Sequence, residues 1–162
     1  APFLEELYAQ HGPLCLYGGS YAGYVIAKIL TTDPQRFVHA AVVRNGVTDW
    51  QVFVERTATF RKRNRFTEYF GDPDPDPNSL PDWYGTLNPS GESNVDPNRV
   101  KFVVGSLDTR VPPECTTAFV QQTWPAAEDA MIRPFDEQGH QFSGKIDQMA
   151  VVNIAIDCFR QD

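Results

Sequence analysis

The stretch "LCLYGGSYAGYVIAKIL", residues 14 to 30, restricts the fold more than any other part of the chain. Leu14, Leu16 and Tyr17, with the small Cys15 among them, read as a short buried strand. After Ser20 the period changes. Tyr24, Ala27, Lys28 and Leu30 recur at helical spacing, and from Tyr24 on no Gly or Pro interrupts them. A strand must therefore reverse into a helix within about three residues, as in the sharp strand-to-helix turn that carries a nucleophile. Such a turn leaves almost no space for side chains around it, which accounts for Gly18 and Gly19. It also leaves the Ser20 hydroxyl exposed at the tip of the bend, near the positive end of the following helix.

The same alternation continues along the chain. Leu4, Leu7 and Tyr8 suggest an opening helix that stops near Gly12. "FVHAAVV", residues 37 to 43, reads as a buried strand, and "VKFVVGS", 100 to 106, is the clearest one. "TDWQVFVERTATF" and "RFTEYFG" read as helical pieces, and the Pro-rich acidic run that begins "GDPDPDPNSLPDW" as a long loop. A helix is expected after Pro112 and Pro113, because proline is tolerated in a first turn. "AMIRPF" is a fourth strand. A last helix carries Ile146, Met149, Val152, Ile156 and Phe159 after Phe142 at three-to-four-residue steps. Strands apolar on both faces, alternating with helices, imply an α/β fold whose parallel sheet is covered on both sides.

Size and charge narrow the function classes. With 162 residues the chain suffices for one domain with a single core. Its net charge of −7 disfavours nucleic acid and anionic membranes as partners. No apolar run approaches the roughly 18–20 residues that span a bilayer. No basic-then-apolar leader opens the chain. A soluble chain is expected, with the cytoplasm as the default compartment. Cys15, Cys115 and Cys158 lie far apart with no CxxC spacing and read as buried, reduced small hydrophobes. "RKRNR", 61 to 65, reads as a solvated helix face. "DPDPDPN" lacks the Gly and Glu that an EF-hand loop would put at its sixth and twelfth positions, so a proline-stiffened loop accounts for it better than calcium.

In a parallel sheet, functional groups gather at the carboxyl ends of the strands. The first strand ends at Ser20, the third in "GSLDTRVP" with Asp108, and the fourth is followed by "DEQGHQF" with His140. The order Ser, Asp, His is that of the α/β-hydrolase plan. Each residue type suits a step. A serine hydroxyl is a weak nucleophile and needs a base in contact. An imidazole takes the proton near neutral pH and returns it to the leaving group. A carboxylate fixes the imidazole tautomer and stabilises the imidazolium. The other histidines fit poorly, since His11 precedes strand 14–18 at its wrong end and His39 lies within a strand.

"GGSYAGY", "GSLDTRVP" and "DEQGHQF" together resemble the catalytic domain of the prolyl oligopeptidase family of serine peptidases, in particular its dipeptidyl-peptidase and acylaminoacyl-peptidase branches. The spacings, 88 positions from Ser20 to Asp108 and 32 from Asp108 to His140, are in that family's style. Ala22 stands where the family's motif usually has glycine, which is tolerable if that position is helical. The resemblance implies an α/β-hydrolase fold of eight strands, of which this chain holds the carboxyl-terminal half with about four. It also implies acyl transfer to Ser20 followed by hydrolysis, a peptide substrate, and no cofactor or metal. The missing half would carry the first strands and a tyrosine that helps hold the oxyanion; the family's propeller domain is missing too. The local oxyanion donor is the backbone N–H of Tyr21.

By position, Tyr21, Val47, Trp50 and Phe53 match the family's apolar pocket for the residue before the scissile bond. Val47, Trp50 and Phe53 read equally well as core. Arg110 matches an arginine that holds a substrate backbone carbonyl, or else pairs with Asp108 to order the loop. Thr57 stands where the dipeptidyl-peptidase branch has a tyrosine, which counts against proline specificity. A carboxylesterase of the same fold is the alternative activity, and a non-catalytic segment that binds a partner chain is the alternative class. Half a sheet leaves an unpaired strand edge, so the expected partner is the rest of the domain or a second copy of the chain.

Overall fold

A computed structural model of the chain describes residues 2–57 and 87–160. The expected helix in "RFTEYFG", the basic run "RKRNR" and the "DPDPDPN" segment lie outside the described residues. Four strands, β1 (Leu14–Gly19), β2 (Val38–Arg44), β3 (Val100–Gly105) and β4 (Ile132–Phe135), form one parallel sheet in chain order. Helix α1 (Pro2–His11) precedes β1 and α2 (Tyr21–Leu30) follows it. After β2 comes α3 (Trp50–Arg56), after β3 come α4 (Pro113–Thr123) and the short α5 (Glu128–Met131), and α6 (Lys145–Phe159) closes the fold.

Alternate strand residues feed two layers of core, as the period of a pleated strand requires. Ala41 and Val43 of β2 with Phe102 and Val104 of β3 meet Ile26, Ala27 and Leu30 of α2 and Phe119 and Val120 of α4. On the other face Ala40, Val42 and Val103 pack with Val151 and Cys158 of α6, and with Phe142 just before it. A third cluster, Val47, Trp50, Phe53, Val54, Val111 and Cys115, lies under α3 and the start of α4. Its aromatic members stack edge-on, with Trp50 and Phe53 centroids 5.6 Å apart and Tyr24 and Trp50 5.1 Å apart. Burial pushes the Cys115 thiol up to about 12.

Two expectations are corrected. Strand β1 is only half-buried: Tyr17 is 53% exposed and Cys15 lies open. Among the described residues β1 is a sheet edge, and α2 covers one of its faces. The terminal helix turns a different stripe inward. Val151 and Cys158 are buried, while Ile146 is 85% and Met149 57% exposed. Apolar residues lie on both sides of α6, so periodicity alone did not select the face the sheet would take. No helix among the described residues is long and apolar enough to cross a membrane.

Candidate active site

The strand ends are level. Gly19 pairs with Arg44 and Arg44 with Val103, so the loops after β1, β2 and β3 leave the sheet side by side. Ser20 sits on the first of them with φ 55° and ψ −123°, a conformation rare for any residue with a side chain. Neighbours hold it there. The Ser20 N–H donates to the carbonyls of Arg44 (3.0 Å) and Asn45 (3.1 Å), and the Ser20 carbonyl accepts from Tyr24 and Val47, each at 3.3 Å. Packing is close two residues before the bend: a Cβ on Gly18 would lie 2.9 Å from Ile26 Cδ1 and 3.1 Å from Ala22 Cβ, so a side chain there would have to push its neighbours aside. Ala22 lies within α2, where its methyl group fits a helical backbone. Tyr21 heads α2, so its N–H has no acceptor inside the helix.

Asp108 and His140 meet directly. His140 Nδ1 lies 2.7 Å from Asp108 Oδ2, and the Asp108 side chain is wholly buried. The other carboxylate oxygen accepts from the backbone N–H groups of Arg110 (2.8 Å) and Val111 (2.9 Å). A buried carboxylate needs such partners. With Asp108 as acceptor, Nδ1 carries the proton and Nε2 keeps its lone pair. Ser20 and His140 are not joined by a hydrogen bond among the described residues.

The rival histidines stand elsewhere. His11 ends α1, and His39 Nδ1 lies 2.7 Å from Arg99 Nη1. Of the pocket candidates, Tyr21 is 63% exposed and faces Trp50 at 6.4 Å between centroids. Val47, Trp50 and Phe53 are buried in the third cluster. The Arg110 side chain is exposed and forms no ion pair with Asp108 among the described residues; the backbone of Arg110, not its guanidinium, orders that loop. Thr57 Oγ1 donates to the Arg110 carbonyl at 3.1 Å.

Sequence reasoning missed Asn45. It follows β2 at φ 46°, and its side chain bridges β3 and the loop of His140. The signal was present: an Asn-Gly pair closing an apolar strand marks a left-handed turn position with a polar side chain to place.

The fold is shared with solved peptidases. The acylaminoacyl peptidase of Pyrococcus horikoshii superposes with a TM-score of 0.70 at 17% identity, over 96% of this chain and 25% of that one. A puromycin-hydrolyzing peptidase of Mycobacterium tuberculosis gives 0.64 at 22% identity, over 94% and 22%. A monoacylglycerol lipase of Paleococcus ferrophilus gives 0.62 at 13% identity, over 97% and 72%. The chain thus spans about a quarter of the length of these peptidases and corresponds to a fragment of their α/β-hydrolase domain. No curated protein matches it by sequence. The family model of the prolyl oligopeptidase family, however, matches residues 2–159. Strand-end serine, buried Asp–His pair and family match agree, and the chain belongs to the prolyl oligopeptidase family.

Proposed function

We propose that this chain supplies the reacting side chains of a serine peptidase: Ser20 as nucleophile, His140 as general base and acid, and Asp108 as the carboxylate that orients it. The observation that carries the reading is the 2.7 Å contact of His140 Nδ1 with a fully buried Asp108, two strand ends from a serine held in a strained bend. In this reaction Ser20 Oγ attacks the carbonyl carbon of a peptide bond and its proton passes to His140 Nε2. The negative oxygen is met by the Tyr21 N–H at the head of α2. His140 then returns the proton to the leaving amine, and the C–N bond breaks to leave an acyl ester on Ser20. Water, deprotonated by His140, splits that ester and restores the hydroxyl. No step needs a metal or cofactor. Tyr21 is the exposed wall of the pocket for the residue before the scissile bond, and Trp50, Phe53 and Val47 back it.

The test uses the full-length protein that carries this chain. A fluorophosphonate probe should label Ser20, as read by peptide mass mapping. Ser20→Ala should abolish labelling and lower peptide turnover by at least about 1,000-fold. Absence of labelling in the folded wild type would leave the partner-binding segment as the function.

A further inference from the structure

We infer that Asn45 is a positioning residue that locks the loop of the catalytic base to the end of β3, in step with the bend that carries the nucleophile. The inference rests on the serine peptidase reading above and adds a residue to it.

Asn45 touches the Ser20 bend, the end of β3 and the loop of His140. Its carbonyl accepts from the Ser20 N–H at 3.1 Å and its own N–H donates to Val103 at 2.9 Å. Its side-chain oxygen accepts from the Gly105 N–H at 2.8 Å, in a buried contact. Its side-chain nitrogen donates to the carbonyls of His140 (3.0 Å) and Gly139 (3.3 Å). One amide therefore joins the backbone of the base to the strand whose following turn carries Asp108. The residue is 3% exposed, so water does not replace these bonds cheaply.

The identity of the residue follows from two demands met together. At φ 46° a side chain is tolerated best when it is Asn or Asp, glycine apart. Facing one N–H and two carbonyls, the side chain must both accept and donate, which an amide does and an ionised carboxylate does not. The opposing surface is fitted to it. A Cβ on Gly105 would lie 2.5 Å from the Gln138 carbonyl oxygen and 2.6 Å from that of Gly139, so the His140 loop rests directly on the strand backbone. Ser106 Oγ adds a second tie by accepting from the Glu137 N–H at 3.1 Å.

Two variants of the full-length protein test this. Asn45→Asp keeps shape, backbone conformation and the acceptor for Gly105 but sets a carboxylate against two carbonyls. Asn45→Gly keeps the backbone conformation and removes the side chain. Active enzyme is counted by fluorophosphonate titration, and kcat is expressed per titrated serine. Expected for both is a fall in kcat of about 10- to 100-fold, the scale of a reacting group displaced by about 1 Å, with KM changed less than about 3-fold. The acidic limb of the kcat/KM profile, which reports His140, should also move. A purely structural role would lower the thermal midpoint and the titrated fraction while leaving kcat per site and the pH profile unchanged, and that result would overturn the inference. If Asn45→Asp does not fold, the same two outcomes are read from Asn45→Gly. Failure of the underlying reading looks different, since then the wild type itself takes up no probe at Ser20.

Discussion

The backbone N–H of Arg110 donates to Asp108 while its guanidinium stands exposed beside the site, so the two parts of one residue are separable by mutation. A planar guanidinium can donate to a substrate backbone carbonyl from a fixed fork, and a simple ester offers no such carbonyl. On the peptidase reading, with Arg110 holding the substrate carbonyl, Arg110→Ala in the full-length protein should lower kcat/KM for peptides by about 1.5–3 kcal/mol and leave small esters nearly unchanged. Equal losses on both substrate classes would show that the side chain only stiffens the loop. The backbone bond to Asp108 survives the substitution, which makes the comparison clean. Ser20, Asp108 and His140 were readable in the sequence as candidates because their types and order point to one chemistry. Asn45 was not, because its contribution lies in hydrogen bonds to backbone groups of residues 60 and 95 positions away.

At the scale of elements, the strands and most helices follow from period and punctuation. Expected strands at 37–43 and 100–106 appear as Val38–Arg44 and Val100–Gly105, and the helix expected after Pro112 and Pro113 begins one residue earlier, at Pro113 itself. "AMIRPF" divides, with Ala130 and Met131 in α5 and the strand beginning at Ile132, because four residues suffice to pair with β3. The inward face of α6 was not legible, since both its faces carry apolar side chains and the sheet chose between them. Helix α3 has a cap that its sequence could have disclosed. Asp49 accepts from the Val52 N–H at 2.9 Å, satisfying a donor of the first turn. Asp49→Ala should lower stability by about 1 kcal/mol, read as a shift in the urea midpoint at constant slope. If Trp50 and Phe53 of α3 back the substrate pocket as proposed, the same variant should weaken binding of a large apolar residue before the scissile bond more than of a small one. A midpoint unchanged within error would remove the cap from the account.

For the molecule as a whole, the sheet is open at β1. Its outer edge pairs with no strand among the described residues, and Tyr17 and Cys15 are exposed beside it. Edges of that kind recruit another strand. Residues 1–162 produced alone should therefore self-associate, with a thermal midpoint that rises with protein concentration. A concentration-independent transition from a monomer, checked by light scattering, would contradict this. The order of the strands has a temporal side as well. Each parallel pairing joins segments far apart in sequence and forms late relative to local structure. The bend at Ser20 is held by carbonyls of β2's end, Asp108 follows β3, and His140 follows β4. On the peptidase reading, a chain folded only as far as β3 holds an alcohol and a carboxylate with no base between them. On that reading hydrolytic capacity is absent until the last strand docks and its loop settles on Gly105, and it then arrives in one step.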